Sequence, residues 1–283
     1  MLPFLTFSKK RRLREKIYKA YINKGDNDDN LDTKKLIKKI VNLRIEKAHL
    51  LGYENWASFV LANKMAKNPQ GVYNFLKQVW EPALKKAREE RDKLEKLGQE
   101  DDPNFDLKPW DWWYYAEKIK QREYKLNEDK LRPYFQLKNV RQGAFDVANK
   151  LFGITFTKRE DLPVYHKDVE VFEVKDSDGS HIGIFYTDYY YRANKRSGAW
   201  MTRYRKQFGL EKQTPIICNV CNFPKPSKNK PSLLSLDNVE TLFHEFGHSL
   251  HGLLSSCKYK RLSGTSVPRD FVEMPSQIME HWA

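Results

Sequence analysis

The run Ser235-Leu236-Asp237-Asn238-Val239-Glu240-Thr241-Leu242-Phe243-His244-Glu245-Phe246-Gly247-His248 carries two histidines four residues apart. On a helix they share one face, so both imidazoles can reach a single metal ion. Glu245 lies about 100° further round the helix. That points it toward the open side of such a site, where a carboxylate can take a proton from water. Ser235 is a suitable N-cap and Asp237 falls in the first turn, so residues 236 to about 255 read as one helix. Val239, Leu242, Phe243, Phe246, Leu250, Leu253 and Leu254 give that helix a buried side. The five-residue pattern alone is also compatible with a solvated helix face; the cap and the apolar stripe favour the metal-binding reading.

A glycine at 251 with a histidine at 254 would supply a third ligand just beyond the pair, but the chain has His251 and Leu254 there. The third ligand is therefore expected from a second helix, and the segment from Asp270 to Trp282 offers Glu273. One rigid helix rarely supplies three ligands, so His251 is expected beside the metal or in packing. Glu240, one turn before His244, and Glu280, two turns after Glu273, are candidates to orient an imidazole by a hydrogen bond. Both are equally compatible with a solvated face.

The stretches SLDNVETLFHEFGHSLHGLL and LSGTSVPRDFVEMPSQIMEHW closely resemble the metal-binding core of the thimet oligopeptidase family. The run from Ser263-Gly264-Thr265 to Glu280-His281-Trp282-Ala283 is most similar to its peptidyl-dipeptidase Dcp branch. Upstream, DYYYRANKRSGAW and PIICNVCNFPKP resemble the strands before the zinc helix in these enzymes, and LPFLTFSKKRRLREKIYKAY resembles an internal helix. The resemblance implies one Zn²⁺ per chain, held by His244, His248 and Glu273, with Glu245 as general base. It also implies a peptidase acting on short peptides and, from the Dcp branch, release of C-terminal dipeptides; internal cleavage is not separated by the metal ligands. Family members are longer. The segment from Asp270 to Ala283 stops without a glycine cap or polar tail, so the chain reads as a central fragment. The tyrosine and histidine side chains that stabilise the oxyanion in the family would lie beyond Ala283. The alternative is a catalytically incomplete zinc- or peptide-binding helical module.

The expected fold is mainly α, with a small antiparallel β-sheet before the zinc-binding helix, zincin-like and of thimet oligopeptidase type. Residues 1–153 are expected to form a helical segment, part of a channel wall. Residues 154–283 are expected to hold the sheet and the catalytic helices. Helices are predicted over residues 8–23, 31–51, 55–64, 69–98, 109–124 and 136–152, with Pro82 kinking the fourth and glycines at 52, 98 and 153 closing theirs. The aromatic stripe Trp110, Trp112, Trp113, Tyr114 and Tyr115 reads as core. Strands are predicted over 169–175, 182–186 and 215–220, with Asp178-Gly179 as a turn. Gly198-Ala199-Trp200 would let a peptide backbone approach a sheet edge, or would form a tight packing corner.

Cys218 and Cys221, three apart in a predicted strand, face opposite ways and read as structural thiols. Three cysteines cannot all pair, which suits a reducing compartment. With no visible signal peptide the cytoplasm is expected, the periplasm staying open because the native start is read as missing. The formal charge of +14 invites a nucleic-acid reading. The bases are interleaved with acids such as Glu89, Glu90, Glu95 and Glu100, the pattern of solvated helix faces, so no nucleic-acid partner is expected. No apolar run approaches the roughly 18 residues a membrane span needs. Short peptides are the expected partners, and oligomeric state is not readable.

Overall fold

Two asparagines start helices in the first part of the chain: Asn55 Oδ1 accepts from the Ser58 N–H at 2.9 Å, and Asn68 Oδ1 from the Gly71 N–H at 2.8 Å. The computed structural model describes residues 1–125 and 128–283. It divides into two units, Met1–Asn127 and Glu128–Ala283. The first holds α1 (Leu2–Phe7), α2 (Arg11–Ile22), α3 (Lys34–Leu50), α4 (Trp56–Leu61), α5 (Pro69–Asp101) and α6 (Trp112–Tyr124). The helix predicted over 8–23 starts later: Ser8 ends α1, and α2 begins after Lys10 with no side-chain cap. Pro82 sits inside a continuous α5, which runs past Gly98 to Asp101. Gly98 serves packing rather than capping, because a Cβ there would fall 2.2 Å from the Phe105 ring. Phe105, Leu94 and Tyr115 form the small core of this unit, so the aromatic stripe is partly core as expected. Beside it, the buried Arg14 guanidinium donates to Asp111 Oδ1 at 2.7 Å and to the Ser8 carbonyl at 2.7 Å.

The second unit holds α7 (Glu128–Leu131), α8 (Leu137–Phe152), β1 (Thr155–Arg159), β2 (Glu170–Lys175), β3 (His181–Tyr190), β4 (Trp200–Arg205), β5 (Ile216–Phe223), α9 (Leu236–Leu253) and α10 (Met274–Glu280). Thus α8, grouped by sequence with the helical half, packs with the sheet. Among the described residues the strands form one sheet of order β1-β2-β3-β5-β4. It is mixed rather than antiparallel: β3 and β5 run parallel, the other pairs antiparallel. The chain places β4 at the edge and returns through β5, which seats β5 alongside β3 in the same direction. The turn at Asp178-Gly179 joins β2 to β3 as expected, with Gly179 at φ +84°.

Residues of α8 and α9 close over one sheet face around Phe145, Phe172, Phe185 and Phe246. The rings of Phe145 and Phe156 stack 4.0 Å apart, and Phe246 of α9 lies 5.8 Å from both Phe145 and Phe185. Burying each such side chain contributes about 1.5–3 kcal/mol, which fixes α9 on the sheet. Cys221 joins this core. Cys218 faces the other way toward Tyr165, and both thiols are free and buried.

On that second face Asp188 of β3 is 1% exposed. It accepts a two-pronged bond from Arg192 at 2.6 and 2.7 Å, one from Tyr165 Oη at 2.8 Å and one from Lys195 Nζ at 3.0 Å. Lys195 also donates to the carbonyls of Asp188 and Tyr190. Asn222 of β5 donates to the carbonyls of Arg196 and Gly198. Together these bonds hold the loop that leads into β4. Among the described residues no helix is long and apolar enough to cross a membrane.

Candidate metal centre

The start of α9 is locked by a reciprocal pair: Ser235 Oγ accepts from the Asn238 N–H at 3.2 Å, and Asn238 Oδ1 from the Ser235 N–H at 3.3 Å. With the apolar side of α9 in the core, His244 and His248 share the opposite side, their ring centroids 4.9 Å apart. Glu273, the residue just before α10, completes the group. Its Oε2 lies 3.4 Å from His244 Nε2 and 3.0 Å from His248 Nε2. One ligand atom from each of the three residues falls within 4.8 Å of the others. That donor set, two imidazole nitrogens and a carboxylate oxygen, is one a zinc-type ion takes.

Two supports hold the geometry. His244 Nδ1 and Glu280 Oε1 are 2.6 Å apart. Donation from Nδ1 to that carboxylate leaves the Nε2 lone pair facing the group. Ser276 Oγ donates to the Glu273 carbonyl at 2.8 Å and to Glu273 Oε2 at 3.2 Å. Of the two carboxylates read as orienting groups, the structure therefore places Glu280 on His244, while Glu240 is exposed on α9. His251 stands outside the triad, beside an apolar cavity of about 440 Å³ between α9 and α10.

The helices approach closely because residue 247 is glycine. A Cβ there would meet Ser276 Cα at 2.6 Å and the Pro275 carbonyl at 2.8 Å, both backbone atoms that cannot swing aside. Gly247→Ala should push α10, and Glu273 with it, away from the histidines. The expected loss is about 1–3 kcal/mol of stability, read from the urea midpoint, accompanied by weaker metal retention.

Glu245 is 6% exposed and its Oε2 has no partner among the described residues. Burial lifts its carboxyl to about 7, with His244 and the Met201 backbone pulling the other way and Glu273 adding to the rise. Burial also lowers His248, which favours the neutral, ligand-competent imidazole. The triad and Glu245 share a cleft of about 480 Å³ with Ala199, Trp200 and Met201 of the β4 side. Gly198 does not line the cleft. At φ +93° with open space around it, it is a turn glycine rather than a packing corner. Arg203, Thr265, Arg269 and Val272 also line the cleft, and no motif in the sequence marks them. Isolated arginines and a threonine in a basic chain carry no spacing signal.

The profile of peptidase family M3 matches residues 4–283. The chain is 43% identical to the dipeptidyl carboxypeptidase of Escherichia coli (strain K12), over 99% of its own length and 41% of that protein. It is 42% identical to oligopeptidase A of the same strain, over 99% of its length and 42% of the relative. It is 32% identical to the thimet-like oligopeptidase of Dictyostelium discoideum, over 87% of its length and 39% of the relative. The chain thus spans about two fifths of the length of these relatives. The match runs nearly end to end and takes in all three residues of the triad: this chain belongs to peptidase family M3.

Proposed function

We propose that this chain carries the zinc centre of a metallopeptidase that hydrolyses short peptides and releases C-terminal dipeptides. The observation that carries the reading is the convergence of His244, His248 and Glu273 in a cleft that also holds the buried carboxyl of Glu245. His244, His248 and Glu273 would hold Zn²⁺, one per chain. Zinc bound there supplies a Lewis acid, which activates water and polarises a carbonyl. Glu245 accepts the proton of the attacking water and returns it to the leaving amine. A carboxyl lifted by burial to about 7 can both take and return a proton near neutral pH, which suits both halves of that exchange. The free edge of β4 offers main-chain groups to an extended peptide, with Ala199 and Trp200 at the cleft wall. Dipeptide release is the reading favoured by the likeness to the Escherichia coli dipeptidyl carboxypeptidase, and the 42% identity to an oligopeptidase keeps internal cleavage as the competing specificity.

Elemental analysis of the purified chain tests the centre. About one zinc per chain is expected, falling to near zero in Glu273→Ala while far-UV circular dichroism is unchanged. Absence of zinc in the parent chain would sink the reading. The coverage of two fifths of the relatives favours one second reading, a zinc- and peptide-binding module that turns over only with further chain.

A further inference from the structure

The sheet face that carries the phenylalanine core turns polar at one end. Two residues beyond Phe156 on β1 stands Lys158, and two before Phe172 on β2 stands Glu170. Two and four beyond Phe185 on β3 stand Thr187 and Tyr189. Strand alternation puts all four on the core side. The register gathers them, with Lys158 opposite Phe172 and Glu170 opposite Thr187. Together with Lys138 and Arg141 of α8 and with Asp168 they line a pocket of about 350 Å³. It shares no lining residue with the cleft at the metal triad. Its volume falls at the low end of the roughly 300–1,000 Å³ of ligand sites, which suits a small molecule.

Both acids of the pocket are answered. Glu170 accepts from Arg141 Nη1, and Lys158 Nζ lies 3.3 Å from its other oxygen, while Asp168 holds Lys225 Nζ at 2.6 Å. The Arg141 guanidinium also rests 4.8 Å from the centre of the Phe172 ring, which fixes it in place. Two groups are left over. Tyr189 is 2% exposed, yet its hydroxyl has no partner among the described residues. Lys138 enters no ion pair or side-chain hydrogen bond among them. An ammonium can only donate, and burial pushes the Tyr189 phenol well above its ordinary range, so it keeps its proton and can donate too. The missing partner is therefore an acceptor. The lining carries three cations, Lys138, Arg141 and Lys158, against two acids, so a negative acceptor fits it. We propose that this pocket binds the oxyanion of a small molecule, a phosphate or a carboxylate, between Lys138 and the Tyr189 hydroxyl. The site stands apart from the metal centre and does not depend on its chemistry.

The test is the melting midpoint of the chain in inorganic phosphate, in acetate and in chloride, at matched ionic strength. Phosphate or acetate is expected to raise the midpoint over chloride by about 2–4 °C, saturably, and the larger of the two shifts says which oxyanion is read. Exclusion of salt from the protein surface would give a rise that does not saturate and is the same in every variant. Lys138→Met and Tyr189→Phe should each remove most of the saturable shift. Without added anion, Tyr189→Phe should melt at or above the parent, because it deletes a buried hydroxyl that lacks a partner. A lower midpoint for that variant would show the hydroxyl already bonded and overturn the site. A shift that survives whole in both variants, or none with either anion, overturns it as well.

Discussion

Glu245→Gln is expected to retain about one zinc per chain and to lose peptide hydrolysis by roughly 10²–10⁴-fold. The amide has the shape of the carboxyl and occupies the same buried place, but it can neither accept a proton from water nor return one. Glu245 is not among the three residues whose atoms converge, so the metal should be indifferent to the change. Stability should hold or rise slightly, because burial opposes the charge that the substitution removes. The measurement pairs zinc content with kcat/KM on short peptides for parent and variant. Normal hydrolysis by a zinc-loaded variant would end the general-base assignment. A zinc-loaded parent that never hydrolyses would favour the binding-module reading, in line with coverage of 41% of the dipeptidyl carboxypeptidase.

Asp188→Ala should be the most destabilising single change on the sheet, costing about 3–5 kcal/mol. It would leave Lys195, whose side chain is 3% exposed, with its charge buried and its carboxylate partner gone. Burial raises the Asp188 carboxyl, but the bonds from Arg192, Lys195 and Tyr165 outweigh it and hold the group below its usual range. A carboxylate depressed in the fold adds stability at pH values above its unfolded pKa of about 3.9. That contribution disappears as the pH falls through the folded value. The gap in urea midpoint between parent and variant should therefore be level from pH 8 to about 5 and narrow only in strong acid. A gap that is small at pH 7 would mean that the loop into β4 is not held by this cluster.

What could be read beforehand follows from where the physics is local. α9 announced itself, since the Ser235 cap, the apolar stripe and the histidine spacing are all set within one helix. Glu273 was reachable through its segment and the family resemblance, whereas its support by Ser276 depends on one packed turn. Choosing Glu280 over Glu240 required knowing where α10 lies, which no periodicity within α9 contains. β1 and β4 escaped because both are edge strands: Thr155–Arg159 is mostly exposed, Trp200–Arg205 half-exposed to exposed, and neither has a buried residue to mark an apolar face. The parallel β3–β5 pair is a property of connection order, set by residues far apart in the chain. Gly98 looked like a helix stop because glycine often is one; here it makes room for an aromatic ring.

The free edge of β4 is open to pairing with another copy of itself. β4 and the residue after it place Arg203, Arg205 and Lys206 along that edge. An approaching twin would set cation against cation before any ladder could form. Charge thus guards against self-association at the place where main-chain pairing is left available. Strong salt shortens the reach of that guard from about 10 Å at 0.1 M to about 3 Å at 1 M.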